Sequence, residues 1–270
     1  MATEINSDKK FSPGIAELWK ARELTLMLAS RDFKVRYSQT FFGILWALIQ
    51  PLFTLFIFIL VFGKAIKINT YGVPYPVFAL CGMLAWNYFS FVFSQAGSSI
   101  INSQSIITKI YFPKLVIPFS KTLVGIIDFG ITLTLTLIII AIYKVPFSTN
   151  IVFFPLFLLL LYFLSAGAGI WLSALSIRYR DLQNTIPFMV QLGLYFSPVA
   201  YPSALIPEKF RLLYFLNRLA GVVEGFRWCL IGSPLPSVQI MIATVIIIFL
   251  VFVTGIWYFR KVEDVIADII

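Results

Sequence analysis

Histidine is absent from the 270 residues, which removes the commonest acid-base group and the commonest metal ligand. Only two cysteines occur, Cys81 and Cys229. They form neither a metal-ligand spacing nor a disulfide framework, so buried inert thiols are expected. Charge is scarce, at 12% of residues. No G-x-x-x-x-G-K-[ST] phosphate loop is present, so the chain does not hydrolyse ATP by that device. H-E-x-x-H and G-x-S-x-G are missing too, which leaves an intramembrane enzyme weakly supported.

What is abundant is apolar: 60% of residues are hydrophobic, 17% are aromatic, and the mean hydropathy is +0.92. A soluble fold of this length cannot hide so much apolar surface and still cover itself with polar groups, so the chain is an integral membrane protein. The formal net charge of +9 is scattered between apolar runs. Anionic lipid headgroups, not nucleic acid, are therefore the expected counter-charge.

About 20 apolar residues cross a hydrocarbon core of roughly 30 Å. Six windows qualify: 44–63, 77–97, 116–143, 151–175, a short fifth at 186–200, and 238–259. Arg31, Lys34 and Arg36 precede the first window and hold the N-terminus inside. With six spans both termini share that side, and 14 of the 21 basic residues then fall on the inner face. The expected fold is all-α: a cytoplasmic tail and interfacial helix over 1–43, a six-span domain over 44–259, and a cytoplasmic tail over 260–270. Within the first segment Ser12 and Pro13 read as a helix start. Ile15, Leu18, Trp19, Leu26 and Ala29 follow at helical spacing, opposite Glu17, Lys20 and Glu23.

Two inner links carry unusual residues. Residues 98–118 read as a short amphipathic helix ended by Pro113, with Ile106, Ile107, Ile110 and Tyr111 forming an apolar patch. That patch suits a lipid surface or a cytoplasmic partner equally. Arg178-Tyr179-Arg180-Asp181 ends the fourth span; snorkelling explains the arginines, whereas Asp181 suggests a specific pairing. The outer segment 201–236 is too charged to span and too apolar for an ordinary loop. Two short helices, 207–217 and 220–231, dipping into the outer leaflet against the bundle are expected, with Glu224 and Arg227 paired on one face.

Asp128 falls near the middle of the third window, where an aspartate costs about 2.5–3.5 kcal/mol without a partner or a wet cavity. A proton-coupled transporter would use such a carboxylate; a hydrogen-bonded structural aspartate near Gly125 and Gly130 is the plainer reading. Trp46, Gln50 and Phe53 share one face of the first span, and Phe188, Gln191 and Tyr195 share one face of the fifth. Aromatic rings beside amides suit a saccharide pathway; ordinary helix packing would use the same residues.

Several of these motifs, in this order, resemble one family. They are Arg31-Asp32-Phe33-Lys34-Val35-Arg36-Tyr37 with Leu45-Trp46 and Gln50-Pro51, Lys109-Ile110-Tyr111-Phe112-Pro113-Lys114, Arg178 to Asp181, Ser197-Pro198-Val199-Ala200-Tyr201, and Glu224-Gly225-Phe226-Arg227. Together they are similar to the membrane subunit of bacterial ABC exporters of polysaccharides, the O-antigen, capsule and teichoic-acid group of ABC type-2 permeases. The resemblance implies a half-transporter of the inner membrane, itself without ATPase activity or cofactor. It would pair with a second copy and dock on two copies of a separate subunit that binds ATP and magnesium, and it would move a lipid-linked glycan. It assigns docking to Ile106, Lys109, Tyr111, Phe112 and Lys114, a cytoplasmic entrance to Arg178, Tyr179, Arg180 and Asp181, and an outer gate to Glu208, Arg211, Glu224 and Arg227. The family usually has Asn-Pro where this chain has Asn217-Arg218. A secondary transporter using Asp128 is the alternative.

Overall fold

The computed structural model describes residues 15–38, 43–179 and 181–269, without the side chains of residues 15–17, 44 and 264–269. The described residues form α1 (Ile15–Lys20), α2 (Arg22–Ser38), α3 (Trp46–Phe58), α4 (Tyr75–Gly97), α5 (Ser99–Asn102), α6 (Gln104–Ile107), α7 (Val116–Ile142), α8 (Phe154–Arg178), α9 (Leu182–Phe196), α10 (Glu208–Tyr214), α11 (Arg218–Ile231) and α12 (Val238–Ile269). No strand occurs among them. The proposed helix start at Ser12 and Pro13 lies outside the described residues.

Five helical stretches are long and apolar enough to cross a membrane: Trp46–Ala65, Tyr75–Gly97, Val116–Ile142, Thr149–Arg178 and Val238–Glu263. The first continues α3 through a π-helical turn at Ile59–Ala65, so it ends past Gly63. The fifth expected window behaves differently. Its helix α9 has 15 residues, about 22 Å at 1.5 Å per residue, short of the hydrocarbon thickness. Two other expectations change. The 98–118 link is not one amphipathic helix but two four-residue turns, α5 and α6, followed by a non-helical run to Lys114. Residues 260–269, expected as a tail, continue α12 as helix.

α4 is the axis of the bundle. Two thirds of its apolar window is buried (67%), against 17% for the first span and 22% for the last. Val77 to Ala85 form a nearly continuous buried run in α4. These residues pack with Phe129 of α7, Phe157 and Leu161 of α8, and Val222 and Phe226 of α11. A second cluster sits at the α2 end, where Leu28 meets Ile100, Leu115, Ile117, Ile170 and Phe259. α8 and α12 are joined by stacking of Trp171 on Tyr258, centroids 4.6 Å apart, and by the Trp171 indole donating to Thr254 at 3.1 Å. The poorly buried faces of α3 and α9 are left to lipid or to another protein surface.

Candidate functional site

At one end of the bundle, α2 and α7 are tied by complementary charges. Lys121 donates to Asp32 at 2.5 Å, and Arg36 donates to Asp128 at 2.5 Å. The Tyr37 hydroxyl donates to the other Asp128 oxygen. Asp32 and Arg36 are one turn apart on α2, while Lys121 and Asp128 are two turns apart on α7. The order of the pairs makes the two helices run parallel. Asp128 thus acquires the partner an intramembrane acid requires, and it comes from α2. Of the nearby glycines, Gly125 packs closely on α4, where an added Cβ would stand 3.0 Å from Phe91 and Val92, whereas Gly130 faces open space. Burial, then the hydrogen bond to Asp128, pushes the Tyr37 phenol up, which keeps it a donor. The Arg36 guanidinium also lies 4.4 Å from the Phe91 ring centroid, fastening α2 to α4.

Beside this tie a polar cavity of about 220 Å³ opens between α3, α4 and α7, lined by Arg36, Gln50, Thr54, Asn87, Ser90, Ser94, Gln95, Asp128 and Thr132 among others. On α4 its residues recur as 87, 90, 91, 94 and 95, one helical stripe. The adjoining stripe of α4, Trp86 and Phe89, faces a larger apolar pocket of about 810 Å³ shared with Tyr195 and Phe196 of α9 and Phe210 and Tyr214 of α10. The two expected pathway triads are therefore not brought into one wall. Gln50 lines the polar cavity and Tyr195 the apolar one, while Trp46, Phe53, Phe188 and Gln191 lie exposed on α3 and α9.

The link residues divide into two faces. Ile107 and Phe112 pack against the buried Leu28 cluster, and Ile106 is half-buried. Lys109, Ile110 and Tyr111 point outward, Tyr111 at 88% exposure. Lys114 is held by α12: its backbone N–H donates to the Glu263 carboxylate at 2.8 Å and its ammonium to the Glu263 carbonyl at 3.0 Å. Arg178 ends α8 with its guanidinium 5.7 Å from the exposed Tyr179 ring. Arg180 lies outside the described residues. Asp181 occupies the N-cap position of α9, where a negative charge meets the helix N-terminus. The specific pairing expected for it is not found among the described residues.

The opposite end is locked. Arg227 is fully buried, its guanidinium 3.6 Å from the Phe78 ring centroid and 3.5 Å from the Glu224 carboxylate. It donates to the carbonyls of Val199 at 2.7 Å, Phe78 at 3.3 Å and Tyr201 at 3.4 Å. Glu224 accepts from the Ser203 backbone N–H at 2.8 Å. Burial lowers the buffering of such a charge by water, and these acceptors replace the lost hydration. Gly82 makes room for the cluster: an added Cβ would stand 2.7 Å from the Arg227 Nη2 and 2.8 Å from the Val199 carbonyl oxygen. Gly225 likewise admits Phe157, whose ring would lie 1.9 Å from a Cβ. Glu208 and Arg211 differ from this pair: Glu208 is exposed, Arg211 is half-buried, and their charges stand 3.9 Å apart. Asn217 caps α11 by accepting from Leu219 N–H and donates to Ser197 at 2.9 Å. Arg218 is the first helical residue, the position that tolerates proline, so replacing Asn-Pro by Asn-Arg preserves this start.

Sequence reasoning missed the α2–α7 tie and the polar stripe of α4. Opposite charges one turn apart in α2 and two turns apart in α7 were a signal for the first. Polar residues at i, i+3 and i+7 within an apolar span were a signal for the second.

Long apolar helices packed round a polar cavity define a multi-pass membrane protein. The chain belongs to the ABC-2 type transporter family, whose model matches residues 23–231. It is 26% identical over 254 residues to the O-antigen export system permease protein RfbA of Myxococcus xanthus, covering 92% of this chain and 96% of the relative. A Klebsiella pneumoniae protein of the same name is 28% identical over 252 residues, with 92% and 95% covered. The polysialic acid transport protein KpsM of Escherichia coli is 23% identical over 195 residues, 72% of this chain and 76% of the relative. These matches place the chain in the bacterial inner membrane.

Proposed function

We propose that this chain is the transmembrane subunit of an ATP-driven exporter that moves a lipid-linked polysaccharide, such as an O-antigen, across the cytoplasmic membrane. Two copies would assemble with two copies of a separate cytoplasmic subunit, which would hold ATP and magnesium. The observation that carries this reading is the two-faced 98–118 link: its inner face is fixed in the bundle while Lys109, Ile110 and Tyr111 stand free beside the α2–α7 tie. The family membership and the relatives' names support the polysaccharide.

In this reading α9, continued by residues 197–200, is the short fifth of six spans, both termini are cytoplasmic, and α10 and α11 lie in the outer leaflet. Closure of the partner dimer on ATP pushes the link and α2. Because a conformational change requires differential binding energy, the partner must bind one position of α2 more tightly than the other. The exposed aromatic and amide faces of α3 (Trp46, Gln50, Phe53) and α9 (Phe188, Gln191, Tyr195) line the path between two copies. Arg178 to Asp181 stand at its cytoplasmic mouth, and Glu208 with Arg211 at its outer end.

The test is purification from the native host in mild detergent. An ATP-hydrolysing subunit should co-purify in equal amount, and replacing Lys109 or Tyr111 should uncouple hydrolysis from export. Isolation of the chain alone under several gentle conditions, or normal coupling in both variants, would overturn the assignment.

A further inference from the structure

The cavity between α3, α4 and α7 has a lining whose chemistry selects its occupant. We propose that it is a side site for one uncharged, hydroxyl-rich sugar unit of the exported glycan, an inference that rests on the export reading above.

Charge comes first. Arg36 and Asp128 are the charged groups lining the cavity, and they are paired with each other. The wall thus offers no unmatched cation to a sugar acid, and seating a carboxylate or phosphate there would leave a charge desolvated without a counter-ion. Hydrogen-bonding capacity comes second. Thr54, Ser90 and Thr132 donate their hydroxyls to the carbonyls of Gln50, Asn87 and Asp128 in their own helices. Their remaining lone pairs can only accept. The side-chain amides of Gln50, Asn87 and Gln95 have no protein hydrogen-bond partner among the described residues. Each provides donors and an acceptor. A sugar hydroxyl both donates and accepts, so it matches this mixture, whereas an apolar acyl chain would offer the amides no partner.

Size comes third. A volume of about 220 Å³ holds roughly seven waters at about 30 Å³ each, or one sugar ring with its hydroxyls. The site therefore takes a single unit at the edge of the main path, since Gln50 borders both. Its wall includes Arg36 of α2, the helix that the partner subunit is proposed to move. Displacing α2 would open the wall and release the unit.

Cysteine labelling tests this in the full complex. Native Cys81 and Cys229 are fully buried, which leaves an introduced thiol as the reporter. The Ser90→Cys variant, nearly isosteric, is treated with a small polar thiol reagent in membranes of two native-host strains, one making the surface polysaccharide and one not. Labelling should proceed in the strain without polymer and slow several-fold in the strain that makes it. An Asn69→Cys control, exposed in the 67–70 loop, should react equally in both. Combining Ser90→Cys with Asn87→Leu, which removes an amide at similar bulk, should abolish the slowing. Equal rates at position 90 in the two strains would reduce the cavity to a water pocket and overturn the proposal. No labelling in either strain, or slowing that survives Asn87→Leu, would also overturn it. The export reading is scored separately: a strain lacking this chain that still displays the polymer overturns that reading, whatever the labelling result.

Discussion

The two ends of the bundle handle charge in opposite ways. At the α11 end, Arg227 and Glu224 are sealed in the core, and the donors of the guanidinium go to backbone carbonyls of two other segments. At the α2 end, Arg36 stays 37% exposed while its partner Asp128 borders a polar cavity. A sealed ion pair that also holds backbone is costly to disturb, because breaking it strands a charge in low dielectric. The Arg36–Asp128 pair is shielded on the Asp128 side, 15% exposed, but open on the Arg36 side, so water can replace part of it when the ions separate. The first arrangement fixes the turn between α9 and α10. The second ties a peripheral helix to the bundle weakly enough to be moved.

That contrast orders the expected effects of substitution. Arg227→Ala should be the most damaging, at about 3–5 kcal/mol, since Glu224 is left buried and unpaired; thermal unfolding in detergent should show a large loss or no folded protein. Gly82→Ala should follow at about 1–3 kcal/mol, because the new methyl collides with the Arg227 guanidinium and the Val199 carbonyl. An unchanged melting temperature would mean that α4 and the 197–201 turn are not rigidly apposed. Tyr37→Phe removes one hydrogen bond to Asp128 and should cost about 0.5–1.5 kcal/mol by the same measurement. Tyr111→Ala should be nearly silent, within about 0.5 kcal/mol, as expected of an exposed side chain. It should nonetheless depress export per ATP hydrolysed. Stability changes in the reverse order would erase the distinction between the two ends.

Much of the bundle was legible from hydropathy, because a span is a local property of about 20 consecutive residues. Windows 77–97 and 116–143 match α4 and α7 closely, and the pairing of Glu224 with Arg227 follows from i,i+3 spacing. Shorter elements were read less well. The 98–118 link carries a helical apolar pattern, yet it breaks after Asn102 and again after Ile107, because its apolar side chains are drawn into the Leu28 cluster and not onto one helical face. The partner of Asp128 was not legible at all: Arg36 lies 92 residues away in sequence, and no local rule connects them. Nor does spacing reveal that Arg227, assigned to an outer gate with Glu224, is a core residue. Its burial depends on Phe78, Val199 and Tyr201 arriving from two other segments.

The most direct measurement is a charge-reversal cycle on the α2–α7 tie, reading polymer export and ATP hydrolysis together. Arg36→Asp and Asp128→Arg alone each place like charges side by side, and each should lower export while hydrolysis continues. The Arg36→Asp/Asp128→Arg double variant restores the attraction with its sign reversed and should recover a large part of the coupling. A double variant no better than either single one, or single variants that export normally, would contradict the account that this ion pair joins α2 to the transport pathway.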